Sequence, residues 1–417
     1  MSMSDVRRAG PPQASTAPSG GSDVHEVTSV GARVLRAGPP QASTASSGGS
    51  DLHEVRSVGA RVALLMAGGT GGHIFPGLAV AQALRERGWR VHWLGSLGTA
   101  GHPSMESQLV PPHGFAFESI AFSGVRGKGL STLAFLPLRL LRAFWQSVQV
   151  IRRVKPDVVL GFGGYIAFPA GMMSVLLGKP LVLHEQNSVA GLVNKVLATV
   201  ADRVFTAFPD VLKNAQCVGN PLRPAFTAQA DPAARFAGRT GPLHLLVVGG
   251  SLGASALNSL VPQALALIPA SQRPRVTHQS GKNQIDALRA NYLAAGVDAS
   301  LTPFIEDTAS AFAAADLIIC RAGASTVTEI AAVGAAALFV PFPTAVDDHQ
   351  TSNARFLVDQ GAGWLVQQRD LSPASLASML QKTERQALVN AALEAKKMQK
   401  TEATAHLVAA CETLAKS

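Results

Sequence analysis

The chain has 417 residues, of which 47% are hydrophobic, and this length favours two domains over one. Its formal net charge of +9 points to anionic partners: nucleic acid, phosphorylated substrates or an acidic membrane surface. Aromatic residues make up only 6% of the chain and are not interleaved with runs of Lys and Arg, so nucleic acid is the least favoured of the three. Three widely separated cysteines argue against a disulfide framework and a zinc site, and fit a reducing compartment.

The N-terminal segment is a tandem duplication. Residues 8–34 recur as residues 36–62, with 24 of the 27 positions identical, in a stretch rich in Pro, Gly and Ser. This composition predicts that residues 1–57 are disordered and are not needed for chemistry.

The folded part is expected to begin with the apolar run 61–66, which is typical of a buried parallel strand. A glycine-rich turn at 68–73 follows, and then a helix with Pro76 in its first turn and Gly88 at its end. The inner face of that helix is predicted to carry Leu78, Ala81 and Leu84.

Further strands alternate with helices along the chain, which indicates parallel, doubly wound sheets of the α/β class. In the first half the predicted strands are 91–95, 158–161 and 181–185, and in the second half they are 243–248, a run near Val276, 317–320 and 337–340. We therefore expect two Rossmann-like domains, residues 58–222 and 223–400, whose strand ends face a common cleft. A final helix at 401–417 is expected to return to the first domain.

Two glycine clusters, at 68–73 and 249–254, follow the first strand of each half. Backbone N–H groups at such a turn, together with the start of a helix, favour an anionic group, although tight strand–helix packing alone also selects glycine. Neither cluster continues as Gly-Lys-Ser/Thr, so neither is a Walker loop. The strand after the first cluster ends at Leu94-Gly95-Ser96 without the acidic residue that grips a ribose in NAD enzymes, which weakens a dehydrogenase reading.

Polar residues at the expected strand ends are candidates for the site. His73 lies at a helix N-terminus, where a neutral imidazole can accept a proton or can simply cap the loop. Glu329, in a loop that enters a helix, can accept hydrogen bonds from both hydroxyls of a ribose or can complement the helix dipole. The clusters 184–187 (HEQN) and 347–350 (DDHQ) contain metal-ligand types without ligand spacing, and we favour sugar binding there.

The segment 121–150 mixes apolar and cationic residues. Leu138 and Leu141 alternate with Arg139 and Arg142, which is typical either of an interfacial membrane contact or of a core helix with a basic outer face.

Seven motifs occurring in a fixed order resemble those of the MurG family of bacterial transferases, within glycosyltransferase family 28. They cover the chain from about Arg61 to its C-terminal helices, whereas the leader has no counterpart in the usual family pattern. The motifs are residues 68–76 (GGTGGHIFP), 161–165 (GFGGY), 184–187 (HEQN), 219–223 (GNPLR), 249–254 (GGSLGA), 321–329 (RAGASTVTE) and 347–350 (DDHQ).

The resemblance implies a GT-B fold and an inverting, metal-independent transfer without a cofactor. N-acetylglucosamine would move from UDP-GlcNAc to lipid I, undecaprenyl-pyrophosphoryl-MurNAc-pentapeptide, at the cytoplasmic face of the bacterial inner membrane. His73 would assist deprotonation of the MurNAc 4-hydroxyl, and Ser325 stands where such sequences often carry Leu. The residues that would contact substrate are Thr70, Gly71, Gly72, Asn187, Arg223, Ser251, Ile305, Ala324, Ser325, Thr326, Val327, Thr328, Glu329 and Gln350.

Three other functions remain open at the level of sequence. A GT-B transferase with another lipid acceptor, such as diacylglycerol, would share most of these motifs. The glycine turns alone also fit an NAD(P)-dependent oxidoreductase, and a sugar-nucleotide-binding module without turnover would carry the same donor residues.

Overall fold

The computed structural model describes residues 59–99, 101–122, 135–250 and 253–416, with only the backbone of Val346. The predictions made for residues 1–57 lie outside these ranges. Within them the chain forms two parallel sheets with helices on both faces, which confirms the predicted α/β architecture.

The first sheet contains seven strands in the order β5-β2-β1-β6-β7-β8-β9, and every neighbouring pair is parallel. Two short strands, β3 and β4, form a separate antiparallel pair. The strands are β1 (Val62–Met66), β2 (Arg90–Gly95), β3 (Gly98–Thr99), β4 (His102–Pro103), β5 (Ala116–Ser119), β6 (Val158–Gly161), β7 (Leu181–Glu185), β8 (Arg203–Thr206) and β9 (Gln216–Cys217).

The second sheet contains six parallel strands in the order β12-β11-β10-β13-β14-β15. Its strands are β10 (His244–Val248), β11 (Arg275–Gln279), β12 (Ser300–Thr302), β13 (Leu317–Cys320), β14 (Ala337–Phe339) and β15 (Trp364–Leu365).

Helices connect the strands and cover the sheets. They are α1 (Gly71–Glu86), α2 (Met105–Leu109), α3 (Leu136–Val154), α4 (Ala167–Leu176), α5 (Leu192–Leu197), α6 (Pro224–Thr227), α7 (Pro232–Phe236), α8 (Ser255–Ala266), α9 (Ile285–Ala295), α10 (Thr308–Ala314), α11 (Ala324–Val333), α12 (His349–Val358), α13 (Pro373–Lys382), α14 (Arg385–Lys397) and α15 (Ala403–Leu414). Among these described helices, none combines the length and hydropathy that a membrane-spanning helix requires.

The apolar runs of the central strands are continuous because both faces of each sheet are covered. In β1, Ala63 and Leu65 pack on the side of α1, whereas Leu64 and Met66 pack on the side of α3 and α4. Successive side chains of a strand point to opposite faces, so a strand buried on both faces needs apolar residues at every position. The last helix, α15, packs its buried side chains into the α1 side of this core.

The start of α1 differs from the prediction. The helix begins at Gly71, immediately after extended Thr70, so Pro76 lies inside it and not in its first turn. The glycine-rich turn itself supplies the first helical turn, and Pro76 removes only one bond, to the carbonyl of Gly72. The predicted end is confirmed, because Gly88 with a φ of 81° follows the C-cap.

Candidate functional site

Each sheet has the strand order of a Rossmann fold, in which the direction of winding reverses at the first strand. That reversal lies between β1 and β6 in the first sheet and between β10 and β13 in the second. At such a point the neighbouring loops leave in opposite directions and open a crevice at the carboxyl ends of the strands. The glycine clusters that follow β1 and β10 are therefore at the expected binding edge of each sheet.

The first glycine cluster ends in an open helix N-terminus. Thr70 makes no side-chain capping bond, and α1 has no acidic residue in its first turn. The N–H groups of Gly71 and Gly72 have no partner within the helix and carry its partial positive charge, so this turn can bind an anion. Behind it, the buried Glu106 accepts hydrogen bonds from the N–H groups of Gly69 and Ser96, each at 3.2 Å.

Gly68 lies against the buried carboxylate. A Cβ at Gly68 would lie 2.7 Å from Oε1 of Glu106, so a larger residue would have to displace that carboxylate. The displacement would disturb the hydrogen bonds that the carboxylate accepts from the N–H groups of Gly69 and Ser96.

His73 is partly exposed on the first turn of α1, and two buried side chains lie behind it. Its Nδ1 is 2.8 Å from Oε1 of Gln186, and Nε2 of Gln186 is 3.1 Å from Nδ1 of His184. Nε2 of His184 is in turn 2.8 Å from the carbonyl oxygen of Gly219. Complete burial lowers the pKa of His184 to about 4, so this imidazole is neutral at neutral pH.

The cluster 184–187 divides into a buried part and an exposed part. His184, Glu185 and Gln186 are buried, and only Asn187 is partly exposed. The Glu185 carboxylate accepts hydrogen bonds from the N–H groups of Asn187 and Gly191 and from the amide of Asn194. Because the other three members are buried, the partly exposed Asn187 is the candidate of this cluster for sugar contact.

An asparagine on α12, Asn353, connects the loop after β7 to the second sheet. Oδ1 of the buried Asn353 accepts hydrogen bonds from the N–H and the hydroxyl of Ser188, at 2.8 and 2.7 Å. Its Nδ2 donates to the carbonyl of Ala322 at 3.1 Å and to Oδ1 of Asn187 at 3.4 Å. The loop of the first sheet is thus joined to the turn between β13 and α11.

The N-terminus of α11 is the counterpart of that of α1. Gly323 gives no side-chain cap, there is no acidic residue in the first turn, and the buried Oγ of Ser325 has no hydrogen-bond partner in the described structure. Ser325 and the partly exposed Thr326 can therefore offer hydroxyl and N–H groups to a ligand.

The remaining residues of this turn line the site from behind. Val327 has its side chain in the core and its N–H bonded to the carbonyl of Gly323. The hydroxyl of Thr328 donates to the carbonyls of Ala324 and Ser325, within the helix.

Glu329 projects one turn further along α11. Only 18% of its side-chain surface is exposed, and its Oε1 is 4.0 Å from the guanidinium of Arg223. Burial raises the pKa of the Glu329 carboxyl to about 7, against the opposing effect of Arg223. Arg223 also lies over the ring of Phe226, with its Cζ 4.9 Å from the ring centroid.

The other predicted residues surround this turn. Ile305 packs against the core beneath α11, and Oε1 of Gln350 accepts a hydrogen bond from the N–H of Phe342 at 2.9 Å. Ser251 lies outside the described residues. Asp348 accepts a hydrogen bond from the hydroxyl of Thr351, and in the described ranges no group of three or more His, Cys, Asp or Glu side chains is arranged to hold a metal ion.

Comparison with known sequences identifies the family. Residues 63–206 match the N-terminal domain of glycosyltransferase family 28, and residues 244–408 match its C-terminal domain. This chain belongs to glycosyltransferase family 28.

Two relatives of this chain share one name. A protein of Polaromonas sp. (strain JS666) is 81% identical over 411 residues, covering 99% of each chain, and is named UDP-N-acetylglucosamine--N-acetylmuramyl-(pentapeptide) pyrophosphoryl-undecaprenol N-acetylglucosamine transferase. A protein of Ralstonia nicotianae with the same name is 61% identical over 357 residues, covering 85% of this chain and 96% of the relative.

Solved structures agree with the family assignment. The crystal structure of Acinetobacter baumannii MurG is 39% identical with a TM-score of 0.74, and the match covers 85% of this chain and 99% of that one. The glycosyltransferase VinC, solved in complex with DTDP, has a TM-score of 0.56 at 14% identity and shares the fold. These similarities confirm the GT-B architecture that the family motifs implied.

The sequence did not single out Asn353 or Gln186 individually. Asn353 follows the 347–350 motif by three residues on the same helix face as Gln350, and this spacing is the signal that could have found it. Gln186 stands inside the 184–187 motif, but nothing in its local sequence indicates that its partner is His73, 113 residues away.

Proposed function

We propose that the protein transfers N-acetylglucosamine from UDP-GlcNAc to the 4-hydroxyl of MurNAc-pentapeptide in lipid I, with inversion at the sugar. The observation that supports this most directly is the pairing of two uncapped helix N-termini, one beside His73 and the other one turn before Glu329. One terminus fits the acceptor pyrophosphate and the other fits the donor diphosphate. The shared name of the relatives supplies the identity of the two substrates.

The donor would bind on the second sheet. The Glu329 carboxylate would accept hydrogen bonds from the ribose hydroxyls, and the first N–H groups of α11 with Ser325 and Thr326 would face the diphosphate. Ser251 in the second glycine cluster and Arg223 would add donors, and Asn187, Ile305 and Gln350 would complete the pocket around nucleotide and sugar.

The transfer requires that the acceptor hydroxyl loses its proton and that UDP leaves as an anion. The 4-hydroxyl oxygen attacks the anomeric carbon while the bond from that carbon to the phosphate oxygen breaks, and the hydroxyl proton passes to the His73 imidazole. UDP leaves with growing negative charge, which fixed N–H dipoles and Arg223 stabilise without reorganising. Attack from the face opposite the leaving group inverts the anomeric centre. We infer that no divalent cation takes part.

The acceptor is a lipid, and α3 offers a surface for its membrane. Leu138, Leu141 and Trp145 lie on one side of α3 and are 65%, 65% and 62% exposed, opposite the buried side that includes Val150. Arg139 and Arg142 are exposed on the same helix. Apolar side chains flanked by cations favour insertion into an anionic bilayer surface, and we propose peripheral attachment to the cytoplasmic face of the inner membrane.

We also propose that different segments of the chain bind the acceptor and the donor. Residues 58–222 would bind acceptor and membrane, residues 223–400 would bind the donor, and residues 401–417 would fasten the end of the chain to the first domain. The core of the second sheet includes Phe226, just after the proposed boundary, and it also takes in Ala207 and Phe208 from before it.

A transfer assay with purified full-length protein tests the proposal. Labelled UDP-GlcNAc is offered with a lipid I analogue, with diacylglycerol, or with both, in the presence and absence of EDTA. We expect GlcNAc on the lipid I analogue only, unaffected by EDTA. Transfer to diacylglycerol alone, donor binding without product, or loss of activity with EDTA would each overturn a stated part of the proposal.

The variant His73→Ala separates chemistry from binding in the same assay. A general base contributes about 10²- to 10⁴-fold to a rate, so we expect turnover to fall within that range while UDP affinity is unchanged. Unchanged turnover would make His73 a structural residue.

A further inference from the structure

Two buried side chains connect His73 to the segment between the two sheets. Gln186 and His184 are both fully buried, and the chain of contacts runs from His73 through these two residues to the carbonyl of Gly219. Buried polar groups form no hydrogen bonds with water. Each donor in this series of hydrogen bonds must therefore face an acceptor.

The proton positions follow from the Gly219 end. A carbonyl oxygen only accepts, so Nε2 of His184, 2.8 Å away, carries a proton and donates it. A neutral imidazole with a proton on Nε2 has a lone pair on Nδ1, and that nitrogen is therefore an acceptor. Full burial keeps His184 in the neutral state.

The orientation of the Gln186 amide is then fixed by two acceptors. Its nitrogen lies 3.1 Å from Nδ1 of His184 and 3.0 Å from the carbonyl oxygen of His184, so the amide NH₂ donates to both. The opposite end of the amide, Oε1, faces Nδ1 of His73 at 2.8 Å. An amide oxygen only accepts, so Nδ1 of His73 must be the protonated nitrogen.

The consequence for His73 is a defined tautomer. With its proton on Nδ1, the neutral imidazole presents its lone pair on Nε2, and in the described structure that nitrogen has no hydrogen-bond partner. An imidazole in water prefers the other tautomer, with the proton on Nε2, which could not accept a proton there. The hydrogen bond at one ring nitrogen thus decides whether the other can act as a base.

We propose that Gln186 and His184 are positioning residues that hold His73 in the Nδ1–H tautomer, so that Nε2 is the atom that accepts the proton of the attacking hydroxyl. The catalytic part of this statement rests on the proposed transfer reaction, whereas the tautomer itself does not. The carbonyl of Gly219 accepts the last hydrogen bond of this series, from Nε2 of His184. Gly219 has a φ of 88°, and a Cβ there would lie 2.5 Å from Cβ of Lys400, so only glycine fits at this position.

The first test is spectroscopic and needs no substrate. Full-length protein labelled with ¹⁵N-histidine is studied above pH 7.5, and the His73 signals are assigned by their loss in His73→Ala. We expect a protonated-type ¹⁵N shift for Nδ1 and an unprotonated-type shift for Nε2. A wild-type spectrum with the proton of His73 on Nε2 overturns the proposal without any further variant.

Two substitutions of one residue then separate hydrogen bonding from packing. Gln186→Met keeps the length of the side chain but cannot accept, so the His73 shifts should move towards a mixture of tautomers. Gln186→Glu with a protonated carboxyl donates towards His184 and keeps an acceptor oxygen towards His73, so the Nδ1–H tautomer should persist. As a matched control, Gln279→Met removes another buried glutamine at the end of β11, and it should leave the His73 shifts unchanged.

The kinetic test uses the same variants. We expect Gln186→Met to lower kcat by about 10- to 100-fold, less than the about 10²- to 10⁴-fold that the general base itself contributes, with KM for UDP-GlcNAc little changed. Gln186→Glu should retain more of the wild-type kcat. Wild-type kcat and wild-type shifts in Gln186→Met would overturn the proposal. If the wild-type protein transfers nothing to lipid I, the function fails while the spectroscopic result still decides the tautomer.

Discussion

The pKa of the Glu329 carboxyl lies close to physiological pH. Burial raises the pKa of its carboxyl to about 7, and the guanidinium of Arg223, 4.0 Å away, only partly opposes this shift. A carboxylate accepts hydrogen bonds from two ribose hydroxyls, whereas a protonated carboxyl does so less well. Donor binding should therefore be linked to the loss of one proton.

We predict that the affinity for UDP-GlcNAc rises between pH 6 and pH 8 and levels off above. The sign follows from linkage: the bound state favours the ionised carboxyl, so below pH 7 binding includes the cost of deprotonation and weakens by up to about tenfold per pH unit. UDP-GlcNAc has no phosphate ionisation in this range. Isothermal titration calorimetry at several pH values and in buffers of different ionisation enthalpy measures both the affinity and the released proton.

The variant Glu329→Gln should remove this pH dependence. At pH 8 it loses charge-assisted hydrogen bonds worth about 2 kcal/mol, or about thirtyfold in affinity. Glu412→Gln, which alters an exposed acid paired with Arg87, serves as the control and should bind as the wild type does. A flat pH profile in the wild-type protein would show that donor binding releases no proton from Glu329, whereas wild-type affinity in Glu329→Gln would contradict the ribose role.

At the scale of elements, α3 is apolar on two opposite sides. The inner side carries buried residues such as Val150 and Ile151, and the outer side carries Leu138, Leu141 and Trp145. A helix that only covers a sheet has a polar outer side, so the outer apolar residues indicate a second contact surface.

We predict that Leu141→Ser with Trp145→Ser reduces binding to vesicles of mixed zwitterionic and anionic lipids by about tenfold or more, because each side chain loses apolar burial. Added salt should weaken the wild-type binding, since Arg139 and Arg142 act through screened charges. Leu293→Ser, at an 85% exposed leucine on α9, is the matched control in a flotation assay. If the Leu141/Trp145 double variant binds vesicles as well as Leu293→Ser does, α3 is not part of the membrane-binding surface.

Local sequence patterns determined the strands well. The apolar runs predicted the strands β1, β6, β7, β10 and β13 to within a residue or two, because a strand buried on both faces must be largely apolar. The start of α1 was wrong because Pro76 fits a first turn as well as an interior position when only local preferences are considered.

Contacts between distant residues set the limit of such prediction. Neither the bond from His73 to Gln186 nor the bonds of Asn353 to Ser188 have a local signature, because the partners are 113 and 165 residues apart in sequence. The sequence showed the candidate residues only as polar positions near the ends of predicted strands. Which of them bind ligand and which support their neighbours depends on burial, which the sequence alone does not give.

For the whole molecule, the match to family 28 begins within β1. The family domains match from residue 63, and a relative from Polaromonas naphthalenivorans covers 85% of this chain over 98% of its own length. We predict that removing residues 1–57 leaves kcat, KM and Tm within a factor of two or a few degrees of the full-length values. Steady-state transfer and calorimetry of the two proteins check this, and a large loss of activity would assign the leader a function.

The two sheets are joined at the site by Asn353. Its side chain is fully buried and bonds to Ser188 and Asn187 on one side and to Ala322 on the other. The buried Asn220 makes a second link, because its Nδ2 lies 3.4 Å from both the carbonyl of Gln186 and the hydroxyl of Thr328 on α11. Asn353 is thus one of two buried asparagines in the described structure that hold the loop behind His73 against α11 and the turn before it. Transfer between two substrates held on different sheets depends on the distance between base and donor.

We predict that Asn353→Ala lowers kcat/KM by more than its cost in stability explains. Removing the amide leaves the Ser188 N–H and the Ala322 carbonyl without partners, which should lower the free energy of unfolding by about 1–3 kcal/mol. Because the loop that carries Gln186 then shifts relative to the donor helix, transfer should fall at least tenfold even at temperatures where the variant is fully folded. Binding of UDP alone is measured beside it, because Asn353 also donates to the Ala322 carbonyl in the turn before α11. Asn390→Ala, at an exposed asparagine on α14 that accepts a bond from Gln386, is the control. If Asn353→Ala is destabilised but transfers at the wild-type rate when folded, the joint between the sheets stabilises the fold without aligning the reaction.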